Sequence, residues 1–151
     1  MARKKPFTLK EYKNIYSKVP KLCVEVVLRT NAGIVLTQRA HDSWSGLWHL
    51  PGGSVMYREA VVDAVKRISR EELDIDVVVG DLLGYIEYWS EEKERGFGYS
   101  VTLPFLCTTE DTLPSINQDG ETIKVFETIP LNTIEEHKKF LGQNLQMKEA
   151  S

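Results

Sequence analysis

Apolar positions along this chain repeat at two different periods, and the switches between them mark out the elements. Thr8-Leu9-Lys10-Glu11 fits a capping box, so a short helix is expected from Leu9 to about Ser17, ahead of Pro20. Leu22 to Leu28, rich in Val and Leu, reads as a strand. Asn31-Ala32-Gly33 reads as a turn, and Ile34 to Thr37 as the returning strand of a hairpin. A polar loop from His41 to Leu47 leads to a short strand, Trp48 to Leu50, which Pro51-Gly52-Gly53 breaks. Glu59 to Leu73 has no Pro or Gly and many good helix formers, and is the clearest helix. Strands are expected at Val77 to Gly80, Leu82 to Ser90 and Tyr99 to Thr108, with a charged loop from Glu91 to Gly98. Pro104 marks the third of these as an edge or bulged strand. After a loop from Asp111 to Asp119, Thr122 to Phe126 reads as a last strand. Asn132 is expected to cap a helix running to Leu141 and ended by Gly142. Strands mixed with a central and a terminal helix suggest an α/β fold layered α/β/α.

A length of 151 residues fits one domain, with residues 1–20 as a helical extension and residues 143–151 as a polar tail expected to fray. A net charge of −3 argues against gripping a long nucleic acid by bulk charge, but leaves room for a small phosphorylated ligand. The basic start is followed by no apolar leader segment, and no apolar run reaches spanning length. The expectation is therefore a cytoplasmic protein without membrane partners. Cys23 and Cys107 lie in apolar stretches and read as buried reduced thiols.

On a wheel of about 100° per residue, Val61, Ala64, Val65 and Ile68 share one face of the central helix, and Glu72 falls within about 30° of that face's centre. Glu71 lies at its edge. Glu59, Asp63, Lys66, Arg67 and Arg70 occupy the other side. A carboxylate facing the buried side is costly unless it is paired or bound to a metal. A Pro-Gly-Gly turn followed by an acidic helix gathers hard oxygen donors, which suit magnesium or manganese.

Gly53, Glu59, Arg67, Glu71, Glu72 and Ile75 stand at the spacing Gly-x5-Glu-x7-Arg-x3-Glu-Glu-x2-aliphatic. This segment resembles the Nudix box, and the flanking strand Trp48-His49-Leu50-Pro51-Gly52-Gly53 has the same look. The resemblance runs from about Leu22 to Phe126 and implies a Nudix-type α/β/α sandwich with a mixed sheet. Three positions depart from the box. Ile68 stands where the family has a glutamate that binds metal or acts as base, Ser69 where it has an aliphatic residue, and Asp74 where it has a glycine. Asp74 can still take a left-handed helix end.

The resemblance implies a magnesium (or manganese) ion held by Glu72, Glu71 and a carbonyl of Gly52 or Gly53, with Glu59 and Arg67 as a structural pair. A Glu59–Asp63–Arg67 cluster is also feasible on the wheel. Arg67 is further counted among the substrate contacts. Within the family the chain resembles the GDP-mannose mannosyl hydrolases, whose box has an aliphatic residue at the position of Ile68. In that subgroup attack falls on the anomeric carbon, with a base from outside the box. Glu25 and Arg39 stand where the subgroup has an acidic residue and a phosphate-binding arginine. Ser54 replaces its arginine, and Glu121 replaces its histidine base. Glu121 is thus the candidate base, with Asp119 as the fallback. Among the aromatics, Trp44 and Tyr99 are candidate ligand contacts. His49 is read as a strand residue able to touch ligand, and His137 as a solvent-facing helix residue.

The expected function is magnesium-dependent hydrolysis of a nucleoside diphosphate derivative, chiefly a nucleotide sugar such as GDP-mannose. One rival is a nucleoside triphosphate or ADP-ribose pyrophosphatase. A second is a nucleotide-binding module that has lost catalysis, for which Ile68 is the motive. The resemblance also implies a homodimer that exchanges its N-terminal helix.

Overall fold

The computed structural model describes residues 6–151; the basic start of the chain lies outside them. Helix α1 spans Leu9–Tyr16. It is followed by strands β1 (Lys21–Thr30), β2 (Gly33–Gln38), β3 (Trp48–His49) and β4 (Gly52–Ser54). Helix α2 (Val61–Leu73) precedes β5 (Val78–Leu82), β6 (Ile86–Glu87), α3 (Glu91–Arg95), β7 (Ser100–Thr108), β8 (Thr122–Phe126) and α4 (Glu135–Asn144).

The sheet is mixed. Strand β1 runs parallel to β7 over Lys21–Leu28, while the other pairings are antiparallel. The main path is β3-β2-β1-β7-β5, with β4, β6 and β8 added beside β1, β7 and β2. On its free side β1 holds two partners in succession: β4 pairs at Cys23 to Glu25, and β2 at Arg29 to Thr30. Between them Val26 N donates to Pro51 O at 2.8 Å. The sheet therefore splits where Pro51-Gly52-Gly53 enters, and side chains from both halves reach the split.

Alternation along β1 divides the core. Val24, Val26 and Leu28 pack with Ala64, Val65, Ile68 and Leu73 of α2, whereas Val27 joins Leu50, Ile86, Phe140 and Leu141 on the α4 side. The expected α/β/α layering is observed. Glu25 shares the Val27 face, so its carboxylate points into the layer beneath α4.

Several boundaries differ from expectation. Helix α2 starts at Val61, because the chain turns tightly before it: Arg58 has φ 58° and Met56 N donates to Glu59 Oε1 at 3.0 Å. The charged segment after Ser90 forms α3, not a loop. Ser90 is held there by Glu136 of α4, whose carboxylate accepts from its N–H and hydroxyl at 3.0 Å each. Of the two alternatives for the Pro104 strand, edge or bulged, the structure shows the second: β7 is interior and its pairing with β5 is irregular. The missing N–H of Pro104 is tolerated where the β7 partner changes from β5 to β6, beside a register shift between Val79 and Leu82. Asn132 does not cap α4; it donates to Gly46 O, and the helix begins after Ile134. Gly142 lies inside α4. The tail expected to fray is tied back, with Ile129 N donating to Lys148 O and Ala150 N to Ile129 O, both at 2.8 Å. Thr8 caps α1 as expected, accepting from Glu11 N at 3.2 Å. Cys23 and Cys107 are free and buried. No helix among the described residues is long and apolar enough to cross a membrane.

Candidate active site

Helix α2 presents its carboxylates from a rigid clamp. Arg67 Nε donates to Glu59 Oε2 at 2.8 Å, and Nη2 donates to Glu59 Oε1 at 3.0 Å and to Ser54 O at 2.7 Å. Its Nη1 lies 3.1–3.2 Å from both oxygens of Glu71. These bonds use every nitrogen of the guanidinium, which corrects the expectation that Arg67 touches substrate. They also show that the third acidic partner is Glu71 and not Asp63, which is exposed. Hydrogen bonding to Glu59 raises the Arg67 pKa against the cost of burial. The clamp stitches the start of the box, the β4 backbone and α2 into one unit. Asp74 ends the helix in the left-handed region, at φ 54° and ψ 42°.

Glu72 has no such partner. Its nearest donor is Asn117 Nδ2 at 3.5 Å, and the same group donates to Glu121 Oε1 at 3.1 Å. Burial, then the charges of Glu121 and Asp119, push the Glu72 carboxyl up to about 7. Asn117 organises this loop: its Oδ1 accepts from Asp119 N at 3.0 Å and Glu121 N at 2.9 Å. Glu121 is buried, which opposes its charge, yet His49, Asn117 and Arg39 hold its carboxyl below the ordinary value. Its Oε2 lies 3.6 Å from His49 Nε2, which also faces Thr37 Oγ1 at 3.1 Å, while His49 Nδ1 donates to Leu50 O at 2.8 Å. Asp119 is exposed beside them.

The donor chemistry here fits a divalent cation. Glu72 and Glu121 are hard oxygen donors drawn together without a bonded cationic side chain at Glu72, whose pKa is raised by burial first and by that crowding second. Among the described residues no three His, Cys, Asp or Glu side chains already form a metal cage. Magnesium keeps water and takes one or two carboxylates together with substrate phosphate. Glu71 contributes less freely than expected, being tied to Arg67.

A cleft of about 570 Å³, its open mouth included, begins beside this acidic patch. Arg39, Trp44, His49, Gly52 and Gly53 line one part. A Cβ on Gly52 would collide with the Glu25 carboxylate and lie 2.8 Å from Val24 O, so only glycine fits. A Cβ on Gly53 would lie 3.0 Å from Ile68 Cδ1. Ile68 is fully buried against that glycine, a packing role that a glutamate could not fill uncharged or unpaired. Arg39 Nε donates to Ser43 O at 3.1 Å, and its guanidinium lies 6.0 Å from the Trp44 ring centre. Trp44 lines the cleft. Tyr99 does not: it bonds Glu87 at 2.7 Å, stacks on exposed Trp89 at 4.7 Å and does not line the cleft.

The inner wall holds residues that sequence reasoning passed over. Tyr88 Oη donates to Glu25 Oε1 at 2.6 Å and is hydrogen-bonded to His137 Nε2. His137 Nδ1 in turn accepts from Leu50 N at 2.9 Å. His137 is thus buried, not solvent-facing. Its position in the stripe His137, Phe140, Leu141 was the available signal. Lys21, Glu91, Arg95 and Ser100 complete the far side. Lys21 Nζ lies 3.8 Å from Glu91 Oε2 and packs over the rings of Tyr12 and Tyr16.

A family model described as NUDIX domain matches residues 19–148. The chain belongs to the Nudix family. It is 30% identical over 120 residues, 78% of the chain and 77% of the relative, to the low-salt glycan biosynthesis protein Agl8 of Haloferax volcanii. It is 27% identical over 133 residues, 85% of the chain and 75% of the relative, to an ADP-ribose pyrophosphatase of Methanocaldococcus jannaschii. Among solved structures, the MutT Nudix hydrolase of Burkholderia pseudomallei superposes with a TM-score of 0.72 at 22% identity, covering 83% of this chain and 98% of that one. A bifunctional NMN adenylyltransferase/ADP ribose pyrophosphatase from Francisella tularensis, complexed with AMP and manganese ion, gives 0.59 at 21% identity over 91% of this chain and 45% of its own. The family match marks the chain as a Nudix hydrolase, in a family that generally uses divalent metals, and the solved structures share its fold.

Proposed function

We propose that this Nudix hydrolase cleaves a nucleoside diphosphate joined to a sugar, with magnesium as the cofactor. The carrying observation is the pairing of two unlike compartments. The Glu72–Glu121 patch and Arg39 suit a metal-bound diphosphate. The adjoining inner wall, with Glu25, Tyr88 and His137, suits an uncharged polar group. A bound magnesium ion would supply charge neutralisation on the diphosphate, held by Glu72, with Glu71 and a Gly52 or Gly53 carbonyl beside it. Arg39 adds a fork of donors for phosphate oxygens, and Trp44 a flat face beside it. The similarity to a glycan biosynthesis protein supports a sugar-bearing substrate. GDP-mannose is the first compound to assay.

Ile68 favours breakage of the carbon–oxygen bond. With a packing residue in place of the box glutamate, the site has one fewer group to hold or deprotonate a water in line with phosphorus. Glu121 is then the proton acceptor, with Asp119 as the alternative. The Glu121 carboxyl is held below its ordinary value by His49 and Asn117 against the cost of burial, so it stays ionised at neutral pH. Turnover in ¹⁸O-labelled water tests the reading. Label in the free sugar supports attack at carbon, and label in a nucleotide product overturns it. The similarity to an ADP-ribose pyrophosphatase favours a second reading in which ADP-ribose is cut at phosphorus, and the same labelling separates the two. The homodimer inferred from the resemblance is checked by light scattering of the full chain.

A further inference from the structure

One neutral side chain, Asn117, stands between Glu72 and Glu121. It lies in the segment that joins β7 to β8, on a turn that backbone bonds already close. Asn117 N donates to Glu121 O at 2.9 Å, Gly120 N to Asn117 O at 3.1 Å and Ile123 N to Ser115 O at 2.9 Å. An isolated bridge pairs Ile116 with Thr122. The Asn117 amide adds bonds of two kinds. Its Oδ1 accepts from Asp119 N at 3.0 Å and Glu121 N at 2.9 Å. Its Nδ2 donates to Glu121 Oε1 at 3.1 Å and reaches Glu72 Oε2 at 3.5 Å. The amide cannot be turned round, because its nitrogen would then face two N–H groups and its oxygen two carboxylates. The carboxylates it meets differ in freedom. Glu121 is buried and engaged at both oxygens, Oε1 by Asn117 and Oε2 at 3.6 Å from His49 Nε2. Among the described residues Glu72 has only the long contact from the same amide.

We propose that Asn117 is a positioning residue that holds Glu121 off the metal ion and leaves Glu72 to meet it. A carboxylate drawn onto a cation is a poor proton acceptor, because the positive charge favours its ionised form. Two carboxylates this close to one cation site would both be pulled toward it. By occupying Glu121 Oε1, the amide keeps the two in separate roles. Removing that donor frees Glu121 to join Glu72, which tightens metal binding and costs proton transfer. The opposite signs are the mark of this role: a partner that merely orients a metal ligand loses both metal affinity and activity when removed. The inference rests on the reading of Glu121 as proton acceptor.

The test measures magnesium binding to the full chain by calorimetry, without substrate, beside kcat and KM on GDP-mannose. Asn117→Ser keeps an oxygen able to accept the Asp119 N–H two residues on, but is too short to bridge the carboxylates. Asn117→Gln keeps the amide donor and disturbs the turn. Asn117→Ser is expected to bind magnesium about threefold or more tighter and to lose about tenfold or more in kcat, with KM changed less than about threefold. Asn117→Gln should stay within about threefold of wild type in both metal affinity and kcat. A residue that only shapes the turn gives the reverse order, with Asn117→Ser like wild type and Asn117→Gln impaired. That order, or unchanged or weaker magnesium binding in Asn117→Ser, overturns the proposal. Adding Glu121→Gln to Asn117→Ser removes the extra ligand, so magnesium affinity should return to that of Glu121→Gln alone. Tightening that persists in the double variant also overturns it. If Glu121→Gln alone keeps wild-type turnover while Asn117→Ser still binds magnesium more tightly, the base assignment falls and the spacing role of Asn117 stands.

Discussion

Arg67 and Arg39 both serve the Gly-Gly turn region, and they differ in how much of their bonding capacity the fold consumes. Arg67 spends all its nitrogens on Glu59, Glu71 and the Ser54 carbonyl. Arg39 donates through Nε to Ser43 O, and its guanidinium makes no other hydrogen bond to a described residue. A saturated arginine holds the scaffold, and one with open donors is, under the proposed function, free to meet a phosphate. The same contrast separates Glu59, enclosed by the clamp, from Glu72, crowded by like charge. Charge alone does not mark the functional side chains; unfinished pairing does.

The contrast predicts opposite outcomes for the two arginines. Arg67→Met leaves Glu59 and Glu71 facing each other without a cation, with the Glu59 side chain only 7% exposed. Breaking a buried pair from one side costs about 3–5 kcal/mol. Urea unfolding should show a loss of that size, and Arg67→Lys should recover only part of it, because one ammonium cannot replace the fork. A loss under about 1 kcal/mol would erase the difference between the two arginines.

Glu72→Gln comes next, and its effect falls on turnover instead of folding. Loss of about 3 kcal/mol of transition-state stabilisation means a drop of roughly a hundredfold in kcat. Stability without metal should stay level or rise. The sign follows from linkage. The Glu72 carboxyl sits near 7 in the folded chain against an ordinary 4.5, so between those values the folded state holds a proton that the unfolded state has released. Metal-free wild type should therefore lose stability as pH rises from about 4.5 to 7, and Glu72→Gln should flatten that slope. Magnesium should raise the Tm of wild type and leave the variant's unchanged. Near-normal turnover in the variant at saturating magnesium would remove Glu72 from the metal site.

Arg39→Ala should raise KM for a diphosphate substrate about tenfold, about 1.4 kcal/mol, with unfolding free energy shifted by less than about 0.5 kcal/mol. Unchanged KM and kcat would make Arg39 a plain strand end.

These effects also separate what the sequence discloses from what it hides. The clamp and the acidic pair come from one stretch, Gly53 to Glu72, where fixed spacing on a helix sets geometry directly. Hence Glu59, Arg67, Glu72 and the left-handed Asp74 were legible. Even there, Glu71 displaced Asp63 as the third clamp member, because Glu59 lies before the helix in a tight turn and not on its wheel. The inner wall was not legible. Tyr88 meets Glu25 across 63 positions, and His137 meets Leu50 across 87. Such contacts follow from sheet order and from the packing of α4, which no local period encodes. Tyr99 failed for the converse reason: its strand was right, but the bond to Glu87 turns it toward Trp89. Pro104 left edge and bulge open, and only the sheet order decides for the bulge, beside the change of strand partner.

The smallest predicted effect is on the clamp's own side, at Asp74. Its backbone is left-handed, with φ 54° and ψ 42°, and its N–H closes α2 onto Arg70 O at 3.1 Å. An L-residue with a Cβ pays about 1–2 kcal/mol to sit there, less for Asp than for most, while glycine pays almost nothing. Glycine also loses more freedom on folding, by about 0.5–1 kcal/mol, which offsets part of the gain. Asp74→Gly should therefore stabilise the fold by a few tenths of a kcal/mol to about 0.5, seen as a small rise in Tm. Asp74 is exposed and does not line the cleft, so kcat and KM should stay as in wild type. A position that improves folding and leaves turnover alone belongs with Arg67. If Asp74→Gly lowered turnover instead, the end of α2 would be coupled to the carboxylates two residues before it. The division between a finished scaffold and an unfinished site would then have to be redrawn at Glu72.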